Sequence, residues 1–258
     1  MRTRRRPSSG SRVPAVPRAD YPGRVRTLCI DTSAGSAVAL HDTESGVLAR
    51  ARSADHRGHA ERLSALVVEV LDEAGVAMAD VGRVAVGTGP APYTGLRVGL
   101  VTALALGRAR GIPVHGVSSL DVLARQVLDL TPDATVVVLG DARRKEVYSA
   151  RYVALGPDDV ELLDGPRVGP AADVAGDALG AAVDQPPIVV AGAGAVLYAD
   201  VLPPTPGTPD EVDPGVLARI VAARLARAEA GEEVALGTEP LYLRRPDVSP
   251  AGARKRAS

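Results

Sequence analysis

Three short segments carry the residue types that hold phosphate groups. Asp31-Thr32-Ser33-Ala34-Gly35 separates two apolar runs, 25–31 and 36–41. A carboxylate in such a turn can ligate Mg²⁺, and a glycine-containing turn offers backbone N–H groups to an anion. The plainer alternative is a hairpin turn capped by Asp31 and Ser33. Residues 87–95 (GTGPAPYTG) precede a helical pattern, and free N–H groups at a helix start attract anions. This loop lacks the GK[ST] ending of a P-loop and the G-x-G-x-x-G of a dinucleotide fingerprint. Pro90 and Pro92 also donate no N–H, so a rigid structural loop competes with the anion reading. Asp141 opens a charged turn, 141–146 (DARRKE), which reads either as a second phosphate-facing turn or as a solvated hairpin. Gly192 and Gly194 follow a short apolar run, where they could receive an adenine.

Other constellations are weaker. His56 and His59 precede Glu61, but a metal site needs a third ligand in fixed geometry, and no H-E-x-x-H is present. Cys29 is the single cysteine and sits inside an apolar run, as a buried small hydrophobe would. No Ser/His/Asp or Cys/His arrangement carries a recognisable local signature.

The elements that must position these residues follow from periodicity. Strands are expected at 25–31, 36–41 and 47–51. A helix is expected from His59 to Ala74, because Leu63, Leu66, Val67, Val70, Leu71 and Ala74 recur on one face. Gly75 suits its C-terminal cap. A strand at 83–86 leads through the 87–95 loop into a second helix ending near Arg110, with Thr94 as expected N-cap and Gly111 as stop. A strand at 112–117 and a helix opened by Ser118-Ser119-Leu120-Asp121 complete the first half. The second half repeats the plan: strands at 134–139, 146–153 and 188–191, then a helix from Asp213-Pro214 to Ala230. Residues 155–187 resist assignment. The pattern predicts an α/β protein with two halves, each opening on antiparallel strands and continuing with strand–helix units.

Composition narrows the functions. Hydrophobic residues make up 46% of the 258, enough for a sizeable core, and no run approaches the ~18 apolar residues of a membrane span. The net charge of −1 hides an asymmetry. Residues 1–26 hold eight arginines and one acid, and the end from Arg244 holds five basic residues and one acid. The body, 27–243, therefore carries 17 basic and 29 acidic side chains, a net of −12. Such a body is a poor platform for nucleic acid. With no Phe or Trp and six scattered tyrosines, stacking surfaces for single strands are not expected. Residues 1–24 read as a disordered basic tail, with structure starting at Val25, where translation could also start. No apolar segment follows Arg4-Arg5-Arg6, so a twin-arginine signal is not expected. The lone cysteine gives no sign of an oxidising compartment.

At this point the chain resembles the TsaB (YeaZ) family. The segments CIDTS, RGHAE, AVGTGPAPYTGLRVGL, IPVHGVSSLDVLA, LGDARRKEVYSARY, AGAGAVLY and PLYLR match in order over about 25–245. The loop departs from the family's usual GPGSFTG at Ala91, Pro92 and Tyr93. The resemblance implies a two-domain actin-like ATPase (ASKHA) fold, each half a mixed sheet with flanking helices. Its domains would be 25–132, carrying the partner interface, and 133–243, followed by a basic tail at 244–258. It implies a cytoplasmic, non-catalytic subunit that binds and activates the TsaD transferase for N6-threonylcarbamoylation of the tRNA adenosine at position 37. TsaE, an ATPase, would join the complex, and tRNA would be met indirectly through it. No cofactor is implied for the isolated subunit, ATP or ADP at the complex interface being the one exception. The implied partner interface is His59, Leu63, Leu66, Val67, Val70, Arg97, Leu100, Val101 and Leu104. Gly99, Ala103 and Gly107 would allow close helix approach, and self-association could use the same helices. Asp31, Thr32, Ser33, Asp141, Gly192 and Gly194 would be remnants of a nucleotide site. The competing reading is an active ATP-dependent kinase of the same superfamily, with Asp31 facing the metal. A third, a metallopeptidase, has no ligand set.

Overall fold

The computed structural model describes residues 23–53, 59–179 and 187–244. The expected tails fall mostly outside these, as do His56 and the side chain of His59. The first sheet contains β1 (Arg26–Asp31), β2 (Ser36–Asp42), β3 (Gly46–Ser53), β4 (Arg83–Gly87) and β5 (Val114–Val117), in the order β3-β2-β1-β4-β5. The second contains β6 (Thr135–Asp141), β7 (Glu146–Leu155), β8 (Asp159–Pro170) and β9 (Ile188–Ala191), in the order β8-β7-β6-β9. The plan is duplicated. β1 runs antiparallel to β2, with Ile30 opposite Val38, and parallel to β4, with Ile30 opposite Val86. β6 does the same, with Val138 opposite Ala150 on β7 and Ala191 on β9.

Among the described residues, six α-helices complete a layered body: α1 (His59–Ala74), α2 (Tyr93–Arg110), α3 (Ser119–Leu130), α4 (Ala171–Leu179), α5 (Ala193–Leu197) and α6 (Gly215–Glu229). α1 and α2 cover the outer face of the first sheet, where Leu28, Ile30, Val38 and Val86 meet Leu63, Val70, Leu96 and Ala103. α3 and α6 lie between the sheets, joining Cys29, Ala39 and Ala85 to Val136, Val138 and Tyr152. α4 and α5 close the outer face of the second sheet over Val137 and Leu139. β1 and β6 are thus covered on both faces, which explains their unbroken apolar runs. Cys29 is fully buried, and burial holds its thiol far above the ordinary range.

Several local expectations hold. Ser118 caps α3 by accepting from the Leu120 N–H at 3.2 Å. Gly111 closes α2 at φ +66°, its N–H bonded to the Gly107 carbonyl. Others need correction. α2 is capped by Pro92, without a side-chain bond, not by Thr94. The unassigned stretch contains β8 and α4. β8 is an edge strand with both faces largely in solvent, so it has no apolar alternation to read.

The helix faces also need correction. Leu63, Leu66, Val67 and Val70 are 0–8% exposed and pack on the sheet, and Leu100 is 5% exposed. They are core, not a surface for another chain. Gly99 and Gly107 serve the same inward packing. A methyl group on Gly99 would lie 2.4 Å from Thr32 Oγ1, and one on Gly107 2.2 Å from Val114 Cγ2. Ala103, fully buried, belongs to that contact too.

Candidate functional site

A cleft of about 510 Å³ opens between the two sheets, and the duplicated strand ends bring the sequence candidates to it. Thr32 and Ser33 come from the β1–β2 turn, Thr94 and Gly95 from the start of α2, Asp141 from the end of β6, and Ala193, between Gly192 and Gly194, from α5. Fold duplication therefore converges segments more than a hundred residues apart in sequence.

The geometry shows what each candidate does. Asp31 is 2% exposed. Its Oδ1 accepts the Ser33 N–H at 2.8 Å and the Ser33 hydroxyl at 2.5 Å, and its Oδ2 accepts the Ser119 hydroxyl at 2.6 Å. Asp31 presses so closely on β4 that a methyl group on Gly87 would lie 1.9 Å from Oδ2. Asp141 repeats the turn in the second half: its Oδ1 accepts the Arg143 N–H at 2.7 Å, and Oδ2 lies 3.1 Å from the Arg143 guanidinium. Both carboxylates are engaged by their own turns. Gly192 and Gly194 are small because β6 is close: a methyl group on them would lie 2.4 Å and 2.9 Å from the Leu139 carbonyl oxygen. The Thr32 hydroxyl is buried against α2 and has no hydrogen-bond partner among the described residues.

Burial pushes the Asp31 carboxyl above the ordinary carboxylate range, although the Ser119 and Ser33 hydrogen bonds oppose the shift. A raised carboxyl binds its proton more readily folded than unfolded, so its contribution to stability grows as pH falls and is lost as pH rises through the folded value. Asp31→Asn removes the charge, keeps one acceptor for the Ser33 donors, and turns the other oxygen into an amide NH2 that can donate to the Ser119 hydroxyl. It is expected to raise the urea midpoint at neutral pH, and the gain should shrink as pH is lowered through the carboxylate range. A lower midpoint for the variant at pH 7 would refute this.

Burial likewise holds the half-buried His41 and His115 below the usual imidazole range. Among the described residues, no group of three His, Cys, Asp or Glu side chains is placed to hold a metal ion. No described helix is long and apolar enough to cross a membrane.

The other candidate surface is the outer side of α1 and α2. With the inner stripe buried, Val68 on α1 (56% exposed) and Val101 and Leu104 on α2 (64% and 44%) face solvent. Arg97, Val101, Leu104, Ala105 and Arg108 form one exposed face at helical spacing.

Residues 32–198 match the family model described as TsaD, tRNA N6-adenosine threonylcarbamoyltransferase. An uncharacterized protein of Mycobacterium tuberculosis is 41% identical over 231 residues, spanning 86% of this chain and 93% of that protein. The tRNA threonylcarbamoyladenosine biosynthesis protein TsaB of Escherichia coli is 33% identical over 96 residues, 37% of this chain and 42% of that protein. The solved structure of YeaZ from Pseudomonas aeruginosa superposes with a TM-score of 0.66 at 28% identity, covering 85% of this chain and all of that one. The chain belongs to the TsaB/YeaZ family.

The two-sheet architecture is accordingly the actin-like fold of TsaB/YeaZ proteins, and the match to the TsaD model fits a paralogous origin. Of the six expected nucleotide-site positions, Thr32, Ser33 and Asp141 line the cleft, while Asp31, Gly192 and Gly194 lie behind its wall and pack on Gly87 and Leu139. Of the expected interface residues it leaves Arg97, Val101 and Leu104 exposed. Sequence reasoning missed Val68, which falls outside the apolar stripe of α1. Only its position between polar neighbours, Val67 apart, could have marked it as outward-facing.

Proposed function

We propose that this chain is the non-catalytic subunit that binds and activates a TsaD-type transferase in the N6-threonylcarbamoylation of tRNA; its TsaB relative is named for tRNA threonylcarbamoyladenosine biosynthesis, which supports the pathway. The observation that carries the reading is the exposed apolar face of α1 and α2, with Val68, Val101 and Leu104 in solvent on an otherwise acidic body. Large apolar side chains left exposed on two helices that pack side by side are suited to binding another protein. The hydrogen bonds that Asp31 and Asp141 accept within their own turns support a structural role for these two carboxylates. A TsaE-type ATPase would join the pair, a nucleotide would sit at the shared interface, and the complex would work in the cytoplasm. The free chain would self-associate through the same face.

The test is reconstitution. A TsaD homologue from the same organism is assayed for transfer to tRNA with and without this chain, and the chain alone is assayed for ATP hydrolysis. Transfer is expected to rise at least about tenfold on addition, about 1.4 kcal/mol in the barrier, with no hydrolysis by the chain alone. Equal transfer in its absence would refute the proposal, and turnover of ATP by the chain alone would favour the kinase reading.

A further inference from the structure

Three of the six tyrosines meet at one place. Tyr93 opens α2, Tyr148 lies on β7 and Tyr242 belongs to the extended segment after α6; all three line a cavity of about 290 Å³. A chain without Phe or Trp has gathered half its aromatic rings here. The Tyr93 and Tyr242 rings are 4.8 Å apart at 32°. The Arg97 guanidinium lies 3.8 Å from the centre of the Tyr93 ring, and its Nε donates to the Tyr242 hydroxyl at 3.1 Å. This aromatic pair is held in position before any ligand arrives, which lowers the ordering cost of binding.

Part of the same wall is cationic. Arg143, Arg144 and Arg244 line the same cavity; Arg143 rests on Asp141 at 3.1 Å through an exposed ion pair that a phosphate would have to share. Arg244 donates to the Ala142 carbonyl at 3.1 Å and pairs with Glu146, so the C-terminal segment is pinned to the β6–β7 turn. Within that turn Arg143, Arg144 and Lys145 have φ of +60°, +54° and +64°, three successive side-chain-bearing residues in the left-handed region. Each costs roughly 1–2 kcal/mol there. A turn selected only for stability would use glycine, and strain of this kind gathers at ligand sites. In a body with net charge −12 the local concentration of cations runs against the background.

The cavity is near the lower end of the ~300–1,000 Å³ typical of small-ligand sites. It adjoins the central cleft through the shared walls Pro92, Arg143 and Tyr148. Flat rings beside guanidinium groups match a ligand with a planar base and an anionic group. A duplex would instead need a broad basic face, which the body lacks.

We propose that this cavity takes a single nucleotide unit, its base against the tyrosines and its phosphate paired with Arg143 and Arg144. The source is an unpaired nucleotide of an RNA strand; a free mononucleotide is the other source of the same chemistry. The site does not depend on the docking role of α1 and α2 and is tested on the isolated chain.

A fluorescein-labelled hexa-adenylate is titrated by anisotropy, and AMP and inorganic phosphate by calorimetry, at about 50 and about 200 mM salt. Hexa-adenylate is expected to bind, and to weaken tenfold or more in Arg143→Glu, with the slope of log affinity against log salt reduced by about 0.7. Tyr242→Leu should weaken binding at least tenfold with the slope unchanged. A hexa-adenylate affinity ten times that of AMP supports an RNA strand, and equal affinities support a mononucleotide. Arg143 sits on an exposed turn, so its variant decides the matter if Tyr242→Leu releases the C-terminal segment. The proposal is overturned if neither AMP nor hexa-adenylate binds more tightly than ~1 mM at low salt, if phosphate alone binds as well as AMP, or if Arg143→Glu changes nothing.

Discussion

Arg224→Ala is expected to lower the free energy of unfolding by about 3–5 kcal/mol, the usual cost of removing one partner from a buried ionic network. Arg224 is on α6, and its side chain is 8% exposed. Its Nε donates to both Asp159 oxygens at 3.0 and 3.2 Å, one terminal nitrogen donates to Asp121 at 2.8 Å, and the other to the Ala235 carbonyl at 3.1 Å. It therefore ties α6 to α3, to the start of β8 and to the segment that leads on to Tyr242. Asp159 retains Arg227 at 3.0 Å and the Val160 N–H at 2.9 Å after the change. Among the described residues Asp121 retains the Tyr152 hydroxyl at 2.9 Å, so it bears most of the uncompensated charge.

A loss of that size is a large share of the ~5–15 kcal/mol of a typical domain. Urea denaturation should show it as a lowered midpoint with little change in slope. Arg224→Lys is expected to lose less, because one ammonium can satisfy one carboxylate but cannot span three acceptors. The pair Arg224→Ala and Asp121→Asn should fall short of the sum of the two single changes, since each removes the same contact. A loss below about 1 kcal/mol for Arg224→Ala would mean that the network is solvated in solution and that the α3–α6 layer stands on apolar packing alone.

Asp121 also shows where sequence reading stopped. The spacing Ser118-x-x-Asp121 predicts a capping box, and Ser118 does cap α3, but the Asp121 carboxylate is taken by Tyr152 and Arg224, 31 and 103 residues away in sequence. Local patterns fix what is local. The helix of α1, the stop at Gly111 and the strand 188–191 could be read because their signals lie within a turn or a strand of themselves. The convergence of Asp31, Asp141 and Gly192 could be inferred from the duplicated plan. The three tyrosines could not, because positions 93, 148 and 242 share no period, yet the fold brings them to one cavity.

The apolar stripes are a different kind of limit. Periodicity shows that one side of α1 is apolar, but not whether that side meets its own sheet or another protein. Leu63, Leu66, Val67, Val70 and Leu100 match a docking stripe equally well on the page and turn out to hold the outer face of the first sheet. What remains for a partner is the set that breaks the pattern: Val68, Val101 and Leu104.

That distinction sets the second large effect. Val101→Glu should weaken binding of the TsaD-type partner at least about a hundredfold, about 2.7 kcal/mol, because docking would bury an unpaired carboxylate. Its own fold should shift by no more than ~0.5 kcal/mol, since Val101 is 64% exposed and no described residue depends on it for packing in the core. Leu100→Ala, one position away, should do the reverse: it should cost roughly 2–5 kcal/mol of stability by opening a cavity against the sheet while leaving the outer face intact. Leu163→Glu places the same charge on an exposed leucine of β8, 49% exposed, and should affect neither property. Calorimetric titration of the partner, alongside urea midpoints for the three variants, separates the cases. If Val101→Glu binds as tightly as the native chain while Leu163→Glu does not, the partner sits on the second sheet and the docking face moves from α2 to β8. The alternation of buried and open residues along a single helix thus predicts opposite phenotypes at adjacent positions, which a helix without a partner would not show.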